Sequence, residues 1–172
     1  MKSACRAETT LMVILTILCI ACFPVNPLAL TGLVNPGFYL PSFVMGWIVW
    51  AAGMVLVMAP IMMFPRRGGV PKGRSFVHTT RVVDTGIYAV VRHPQYLGGV
   101  FSIFVATPLL YPHWIFVVLG IPGAVILYWS TREEEKRLIE RFGDDYLSYM
   151  RRVPGMNFIK GTVQLWRQRK QG

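Results

Sequence analysis

Charged residues are scarce in this sequence, and two long stretches lack them altogether. Lys, Arg, Asp and Glu make up 15% of the 172 residues, against roughly 25% in soluble domains. The stretches 9–65 and 94–131 contain none of these four residue types, and together they exceed half of the chain. The interior of a soluble globule of this size cannot hold so many uncharged residues. The sequence therefore predicts an integral membrane protein.

The lengths of the two uncharged stretches predict the number of spans. A transmembrane helix needs about 20 mainly apolar residues, so the first stretch holds two spans and a connection, and the second holds two short spans. Only the turn "YPHW" separates the last two, which predicts a tight antiparallel hairpin. The predicted fold is an all-α integral membrane protein of about four transmembrane helices in a single domain, 1–172. The predicted spans lie at about 10–30, 41–64, 95–110 and 114–131.

Acidic residues are few, and the basic residues are unevenly placed. The chain has 8 Asp and Glu against 18 Lys and Arg, a net charge of +10. The basic residues lie before the first span, in the 66–93 loop and in the region 132–172. Because positive charge stays on the cytoplasmic side, both termini are predicted to be cytoplasmic, in a prokaryotic plasma membrane or an endoplasmic reticulum. Anionic lipid next to this face accounts for the charge, so no nucleic-acid partner is predicted.

Cysteine is rare as well. Of the three cysteines, Cys19 and Cys22 lie inside the first uncharged stretch, which argues against a disulfide framework. Residues 1–24 allow a cleaved secretory signal as an alternative, because Lys2 and Arg6 precede an apolar run. No small-x-small cleavage site follows, and its removal would leave three spans that conflict with the charge distribution. The first span is therefore predicted to remain.

Several chemical signatures are missing. The histidines His78, His93 and His113 are scattered and have no acidic pair beside them, so no metal site is predicted. The sequence has no Walker A pattern and no GxGxxG fingerprint. The predicted spans carry almost no polar groups, although channels and transporters usually place such groups within their spans.

Two polar segments lie where the predicted hairpin opens. "TTRVVDTGIYAVVRHPQY" precedes the third span, and "TREEEKRLIERFGDDYLSYMRRVPGMNF" follows the fourth. A structural explanation exists for the first: Pro94 suits the start of a helix, and Arg92 suits the lipid headgroups. In the second, Glu134 shares a helical stripe with Leu138, Phe142 and Tyr146. An inward carboxylate needs a cationic partner, which could be His93, an arginine or a ligand. A pocket with charges of both signs suits a zwitterionic ligand.

The same segments carry a family resemblance. "VVDTGIYAVVRHPQYLG", followed by "EEEKRLIERFGDDYLSYMRRVP" and "FIKG", resembles the isoprenylcysteine carboxyl methyltransferase family and its phospholipid methyltransferase relatives over about 78–161. The resemblance implies the cofactor S-adenosyl-L-methionine, held at the cytoplasmic ends of the last two spans. It also implies a pocket built from the 66–93 loop and the C-terminal helix. The implied partners are the bilayer and a lipophilic methyl acceptor that enters from it.

The resemblance also assigns residues. It implies cofactor contacts at Thr80, Arg81, Val82, Val83, Tyr88, His93, Pro94, Tyr96, Glu134 and Glu135, and acceptor contacts at Arg92, Arg132 and Ser130. It marks no residue as a certain proton-transfer catalyst. Two positions depart from the family pattern: many members have a histidine where this chain has Thr80, with His78 the nearest substitute. Relatives acting on prenylcysteine have an arginine where this chain has Ser130, with Arg132 two residues further on.

The predicted function is S-adenosylmethionine-dependent methylation of a membrane-embedded or lipid-linked acceptor, with O-methylation of a prenylcysteine-like carboxylate first. N-methylation of a phospholipid amine is the first alternative. An NADPH-dependent sterol-type reductase is a second, although the glutamate pair and the short chain argue against it. A non-enzymatic membrane scaffold that keeps the fold is the third.

Overall fold

The structure, a computed structural model, describes residues 26–67 and 80–171, together with Ile14, Ile17, Cys19, Phe23 and Gly69. The regular structure of these residues is helical throughout, and they form no strand. An all-α chain is therefore confirmed. The helices are α1 (Pro27–Leu30), α2 (Leu40–Arg67), a 3-10 turn (Gly86–Ala89), α3 (Pro94–Leu110), α4 (Trp114–Phe142), α5 (Asp144–Arg152) and α6 (Phe158–Gln171).

Two of the described helices are long and apolar enough to cross a membrane, judged by length and composition. They are α2, over Leu40–Met63, and α4, and they contain the predicted spans 41–64 and 114–131. α3 is a shorter apolar helix. Most of the predicted span 10–30, with Lys2 and Arg6 before it, lies outside the described residues. Near its end Asn26 caps α1, its side-chain oxygen accepting from the Leu28 amide at 2.9 Å, so α1 begins within the predicted span.

The chain divides into two compact units. Unit 1 comprises 1–54 and 98–130, and unit 2 comprises 55–97 and 131–172. Within unit 1 the chain turns at residues 111–113, and Phe104 of α3 packs against Leu119 and Leu127 of α4. Gly120 and Gly123 lie directly against Phe104, and Gly99 faces Leu127. These contacts run in opposite directions along the two helices, which confirms the predicted antiparallel hairpin.

Small residues also bring α2 onto α3 within unit 1. A Cβ added at Gly53 would lie 2.7 Å from the Ser102 amide nitrogen, and one at Gly46 would lie 2.8 Å from the Leu110 side chain. The Ser42 hydroxyl donates to the Leu109 carbonyl near the other end of α2. In a lipid bilayer the hydrophobic effect does not drive helices together, and they pack instead through close approach at small residues. Ser102 lies in a π-helical segment of α3 and donates to the Gly98 carbonyl at 2.8 Å.

Unit 2 gathers the charged end of α4 with α5, α6 and the segment 80–97. Its core consists of Tyr146, Tyr149 and Val153, packed against Val82 and Leu138. Gly143, at a φ of +56°, lets the chain leave α4 and start α5. α5 has aspartates in its first turn and arginines in its last, which complements the helix dipole. A single glycine, Gly143, thus separates the end of α4 from the start of α5.

The docking of α6 gives a first prediction. A Cβ at Gly161 would overlap the Val90 carbonyl oxygen, so Gly161→Ala is expected to push α6 away and cost about 1–3 kcal/mol. The measurement is the temperature at which half of the detergent-solubilised protein is still monodisperse. Gly37→Ala is the matched control, because a Cβ there meets nothing within 4 Å. Equal effects of the two substitutions would contradict the close packing at Gly161.

Candidate functional site

A cavity of about 400 Å³ lies within unit 2. Its volume falls within the roughly 300–1,000 Å³ of small-molecule sites. Its walls come from the segment before α3, the first turn of α3, the charged end of α4, and α5. The lining residues are Arg81, Val82, Val83, Tyr88, Arg92, His93, Pro94, Gln95, Tyr96, Glu134, Arg137, Leu138, Arg141, Phe142, Tyr146 and Tyr149.

Backbone contacts hold the Arg92–His93 wall in place. The amides of Arg92 and His93 each donate to the Gly155 carbonyl at 3.1 Å. One turn earlier, the Tyr149 hydroxyl donates to the Tyr88 carbonyl at 2.7 Å. The loop after α5 and the buried face of α5 therefore fix both ends of this wall. Pro94 then starts α3 directly behind it, where its missing N–H costs nothing.

Glu135 is the centre of a buried ion network. Its Oε1 lies 2.8 Å from Arg92 Nη2 and 3.1 Å from His93 Nε2, while its Oε2 lies 3.6 Å from Arg132 Nη1. The side chains of Glu135 and Arg92 are only 7% and 9% exposed. A buried carboxylate persists in the charged form only when it is paired in this way. Glu135 thus ties the end of α4 to the segment that carries Arg92 and His93.

Glu134 has a different environment from its neighbour. Its Oε2 lies 3.6 Å from His93 Nδ1, which is beyond hydrogen-bonding distance. This oxygen is buried and has no hydrogen-bond partner among the described residues. Arg92 Nε is likewise a buried donor with no hydrogen bond in this part of the chain. Because a buried polar atom left unpaired is costly, an acceptor and a donor at one cavity indicate a ligand with groups of both signs.

The ring of His93 lies between the two carboxylates. Burial by itself lowers the pKa of His93, but the two carboxylates of Glu134 and Glu135 beside its ring nitrogens raise that pKa above its usual value. Glu135 lies beyond the uncharged part of α4. Burial opposes its charged form, yet His93, Arg92 and Arg132 hold its pKa below the usual value. The charged forms of His93 and Glu135 therefore stabilise each other.

This arrangement gives a second prediction, a pKa of His93 above the roughly 6.5 of an unperturbed histidine. Because the pKa is raised on folding, the stabilisation from His93 is complete below about pH 6.5 and is lost as the pH rises through the raised value. Glu135, with a lowered pKa, loses its contribution only in acid. The measurement is NMR titration of ¹³C-histidine-labelled protein, with His78→Gln and His113→Gln variants to assign the signals. Glu135→Gln should lower the midpoint, and a His93 midpoint below about 6.5 would contradict the prediction.

Buried tyrosines complete the wall opposite the charges. Burial, with the negative charge of Glu134 second, raises the pKa of Tyr88. Burial also raises the pKa of Tyr146 and Tyr149. These phenols therefore stay neutral, and the Tyr149 hydroxyl is a hydrogen-bond donor. Tyr96 meets the His93 ring edge to face, with the ring centroids 5.8 Å apart.

Most of the residues implied by the family resemblance lie together at this cavity, and their roles stay predictions. Five of the predicted residues do not line it or are not described. Thr80 is exposed, and its hydroxyl donates to the Gly69 carbonyl at 3.1 Å. Glu135 is buried in the ion network behind the cavity wall, and Arg132 is largely exposed beside it. The Ser130 hydroxyl, in unit 1, donates to the Ile126 carbonyl at 2.9 Å. His78 lies outside the described residues.

The sequence interpretation had Glu134 on a stripe with Leu138, Phe142 and Tyr146, and all four line the cavity. The expected cationic partners, His93 and Arg92, lie within 3.1 Å of Glu135, whereas Glu134, for which a partner was expected, has His93 at 3.6 Å. Four further lining residues were not singled out: Gln95, Arg137, Arg141 and Tyr149. Helical spacing offered a signal for the arginines, because positions 134, 137, 138 and 141 share one face. Tyr149 had none, because its contact depends on where α5 docks.

The charge pattern fits an amino acid-like group. Glu134 can accept from an ammonium group, and Arg81, Arg137 and Arg141 can meet a carboxylate. Phe142, Tyr88 and Tyr146 offer rings to a flat or cationic part of a ligand. Among the described residues, no group of three or more His, Cys, Asp or Glu side chains could hold a metal ion.

Comparison with known proteins gives relatives among methyltransferases. The rat protein-S-isoprenylcysteine O-methyltransferase is 35% identical over 132 residues, which cover 67% of this chain and 44% of the relative. The human protein of the same name is 39% identical over 99 residues, covering 54% of this chain and 32% of that protein. The methanethiol S-methyltransferase of Pseudomonas deceptionensis is 26% identical over 112 residues, covering 62% and 41%. The chain thus spans less than half the length of these curated relatives.

A family model also matches this chain, over a range that includes cavity residues from the segment before α3 and from the end of α4. No solved structure matches the chain. The model of the phospholipid methyltransferase family matches residues 41–145, which include α2, α3, α4 and the Arg92–His93 wall. The resemblance noted in the sequence is confirmed, and the chain belongs to the phospholipid methyltransferase family.

Proposed function

We propose that this protein is an S-adenosyl-L-methionine-dependent methyltransferase acting on a membrane-embedded or lipid-linked acceptor, with a prenylcysteine-like carboxylate as the first candidate. The observation that carries the proposal is the pair of unpartnered buried atoms at one cavity, Glu134 Oε2 and Arg92 Nε. One is an anionic acceptor and the other a cationic donor. The relatives named as protein-S-isoprenylcysteine O-methyltransferases support the same reaction.

The cavity residues fit the cofactor group by group. S-adenosylmethionine supplies a methyl group activated by its sulfonium. Glu134 would bind its ammonium group, and Arg137 or Arg141 its carboxylate. Val82, Val83 and the aromatic side chains would hold the apolar and flat parts, and Tyr88 would donate a hydrogen bond. Thr80 and Glu135 would act less directly, since neither lines the cavity. The main work of the chain is to position the reactants and exclude water.

The protonation of the side chains at the site affects which kind of acceptor can be methylated. An amine must lose a proton when it is methylated, whereas a carboxylate needs no base. The carboxylates of Glu134 and Glu135 raise the pKa of His93 and so favour its protonated form, and burial keeps Tyr88 protonated. This supports O-methylation over N-methylation of a phospholipid amine. Arg92, through its unpartnered Nε, would meet the acceptor carboxylate, with Arg132 and Ser130 as further candidates.

A sulfur acceptor is the second candidate. The matches to methanethiol S-methyltransferases favour it. Unlike a carboxylate, a thiol would have to release its proton to water before the thiolate accepts the methyl group. The two candidates differ in what Arg92 does, because a thiolate would not need its fork of donors. Arg92→Lys should therefore reduce methyl transfer to a carboxylate acceptor far more than methyl transfer to a thiol.

The membrane arrangement completes the proposal. Four spans with both termini cytoplasmic would place the cavity and the basic residues of 66–93 and 132–172 on the cytoplasmic side. The cofactor would then enter from the cytoplasm and the acceptor from the bilayer. The chain would act as one domain. Two helices long enough to span, α2 and α4, support this arrangement.

The test uses the purified full chain reconstituted in vesicles with methyl-labelled S-adenosylmethionine. A farnesylated cysteine derivative, phosphatidylethanolamine and methanethiol are each supplied as acceptor. Base-labile label released as methanol from the first means a methyl ester and supports the proposal. Label in the phospholipid or in a volatile sulfide identifies one of the other acceptors instead. Absence of transfer to all three acceptors, with the protein shown to be folded, would overturn a methyltransferase of this substrate class.

A further inference from the structure

The helix α6 combines a basic sequence with an exposed apolar face. Its sequence, "FIKGTVQLWRQRKQ", contains Lys160, Arg167, Arg169 and Lys170 and no acidic residue. Phe158, Ile159, Val163 and Trp166 are large apolar side chains that are all exposed. Ile159 and Trp166 are 78% and 57% exposed. A surface helix normally turns such side chains inward, so the exposure needs an explanation.

The apolar residues lie on the side of α6 that faces away from the protein. Gly161 is buried against the Val90 carbonyl, and the Gln164 side-chain oxygen is buried as well. At 100° per residue, Ile159, Val163 and Trp166 fall on the opposite side of the helix. The docked face therefore carries Gly161 and the half-buried Gln164 and Leu165, and the large exposed apolar side chains lie on the free face. A helix packed on a soluble domain buries most of its large apolar side chains.

The charges of α6 identify what the apolar face meets. Lys160 and Arg167 lie beside the apolar stripe, and Lys170 Nζ lies 3.9 Å from the centroid of the Trp166 ring. Basic residues flanking a face that carries Trp are typical of helices that lie in a bilayer interface, and Trp is enriched there. A second copy of this chain would bring two basic, acid-free helices together, with no negative charge to compensate. An anionic bilayer supplies that charge.

We propose that α6 lies in the interface of an anionic phospholipid bilayer, with Ile159, Val163 and Trp166 inserted among the acyl chains and Lys160 and Arg167 at the headgroups. Its docked face meanwhile holds Val90, two residues before Arg92. The helix thus links the lipid surface to the wall of the cavity. This inference is independent of the methyl acceptor.

The test is spin-label accessibility in the full chain, reconstituted in vesicles of phosphatidylcholine with about a third phosphatidylglycerol. Cys5, Cys19 and Cys22 are replaced with Ala, and single labels are placed through Ile159→Cys, Val163→Cys and Trp166→Cys. The matched control is Gln168→Cys, an exposed position on the polar side. Labels on the apolar face should collide more with lipid-soluble oxygen than with a water-soluble nickel chelate, and the control label should show the reverse.

Replacing phosphatidylglycerol with phosphatidylcholine, or changing Lys160→Gln together with Arg167→Gln, should reduce the preference for oxygen at 159, 163 and 166. Access of the nickel chelate to all four positions would mean a helix in water and overturn the proposal. Poor access of both reagents with spin–spin broadening would mean a second copy on this face, which also overturns it. An unchanged preference in phosphatidylcholine would refute the role of anionic lipid.

Discussion

Replacing Glu135 with glutamine is expected to lower the thermal unfolding midpoint of the detergent-solubilised protein by about 6–20 °C. The reason is the pairing of Glu135 with Arg92 and His93 in a site where both Arg92 and Glu135 are almost fully buried. A neutral amide cannot balance the Arg92 charge, and an uncompensated buried charge costs about 3–5 kcal/mol. In a chain of this size each kcal/mol shifts the midpoint by roughly 2–4 °C.

Glu133→Gln is the matched control, because Glu133 is two residues away and its ion pair with Lys136 is exposed. Such pairs contribute about 0–1 kcal/mol. The double variant Arg92→Gln, Glu135→Gln should unfold above the Glu135→Gln midpoint, because the second change removes the charge left unpaired by the first. Equal midpoints for Glu133→Gln and Glu135→Gln would show that the buried network does not hold unit 2 together.

The helices could be predicted because their signal is local. The absence of charge from 41–64 and 94–131 marks apolar helices by composition alone, and the three residues between α3 and α4 leave room only for a hairpin. The start of α3 at Pro94 and the break at Gly143 also follow from single residues. The end of α4 was harder, since the last charge-free residue, Thr131, ends the apolar stretch and not the helix, which continues to Phe142.

The site was predictable where it follows helical spacing, as for Glu134, Leu138, Phe142 and Tyr146. It was not predictable that Glu134 lines the cavity while the adjacent Glu135 lies in the buried ion network. Positions 134 and 135 differ by 100° around α4, and which one faces the cavity depends on where Arg92 and His93 lie. Their position depends in turn on the Gly155 carbonyl, 62 residues further on. Long-range backbone contacts of this kind leave no periodic trace in the sequence.

Replacing Glu134 with glutamine is expected to weaken binding of S-adenosylhomocysteine by roughly 10- to 150-fold. The homocysteine ammonium would lose its charge-assisted hydrogen bond to Glu134 Oε2, which is worth about 1.5–3 kcal/mol. Unlike Glu135, Glu134 leaves the Arg92 pair intact when it is changed, so the unfolding midpoint should move little. Isothermal titration calorimetry in detergent, with the unfolding midpoint measured on the same sample, separates the two effects.

Glu133→Gln again provides the control, and its affinity should equal that of the wild type. The comparison distinguishes a ligand contact from a general loss of negative charge, because both substitutions remove one charge from the same turn of α4. NADPH is titrated in parallel. Binding of NADPH in place of S-adenosylhomocysteine would contradict a methyltransferase and indicate a reductase. If Glu134→Gln binds S-adenosylhomocysteine as tightly as wild type, the unpartnered oxygen of Glu134 does not meet the cofactor. The methyl acceptor would then be the next candidate ligand of Glu134. The Glu134 carboxylate could take the proton that an amine acceptor must lose, which a protonated His93 cannot do.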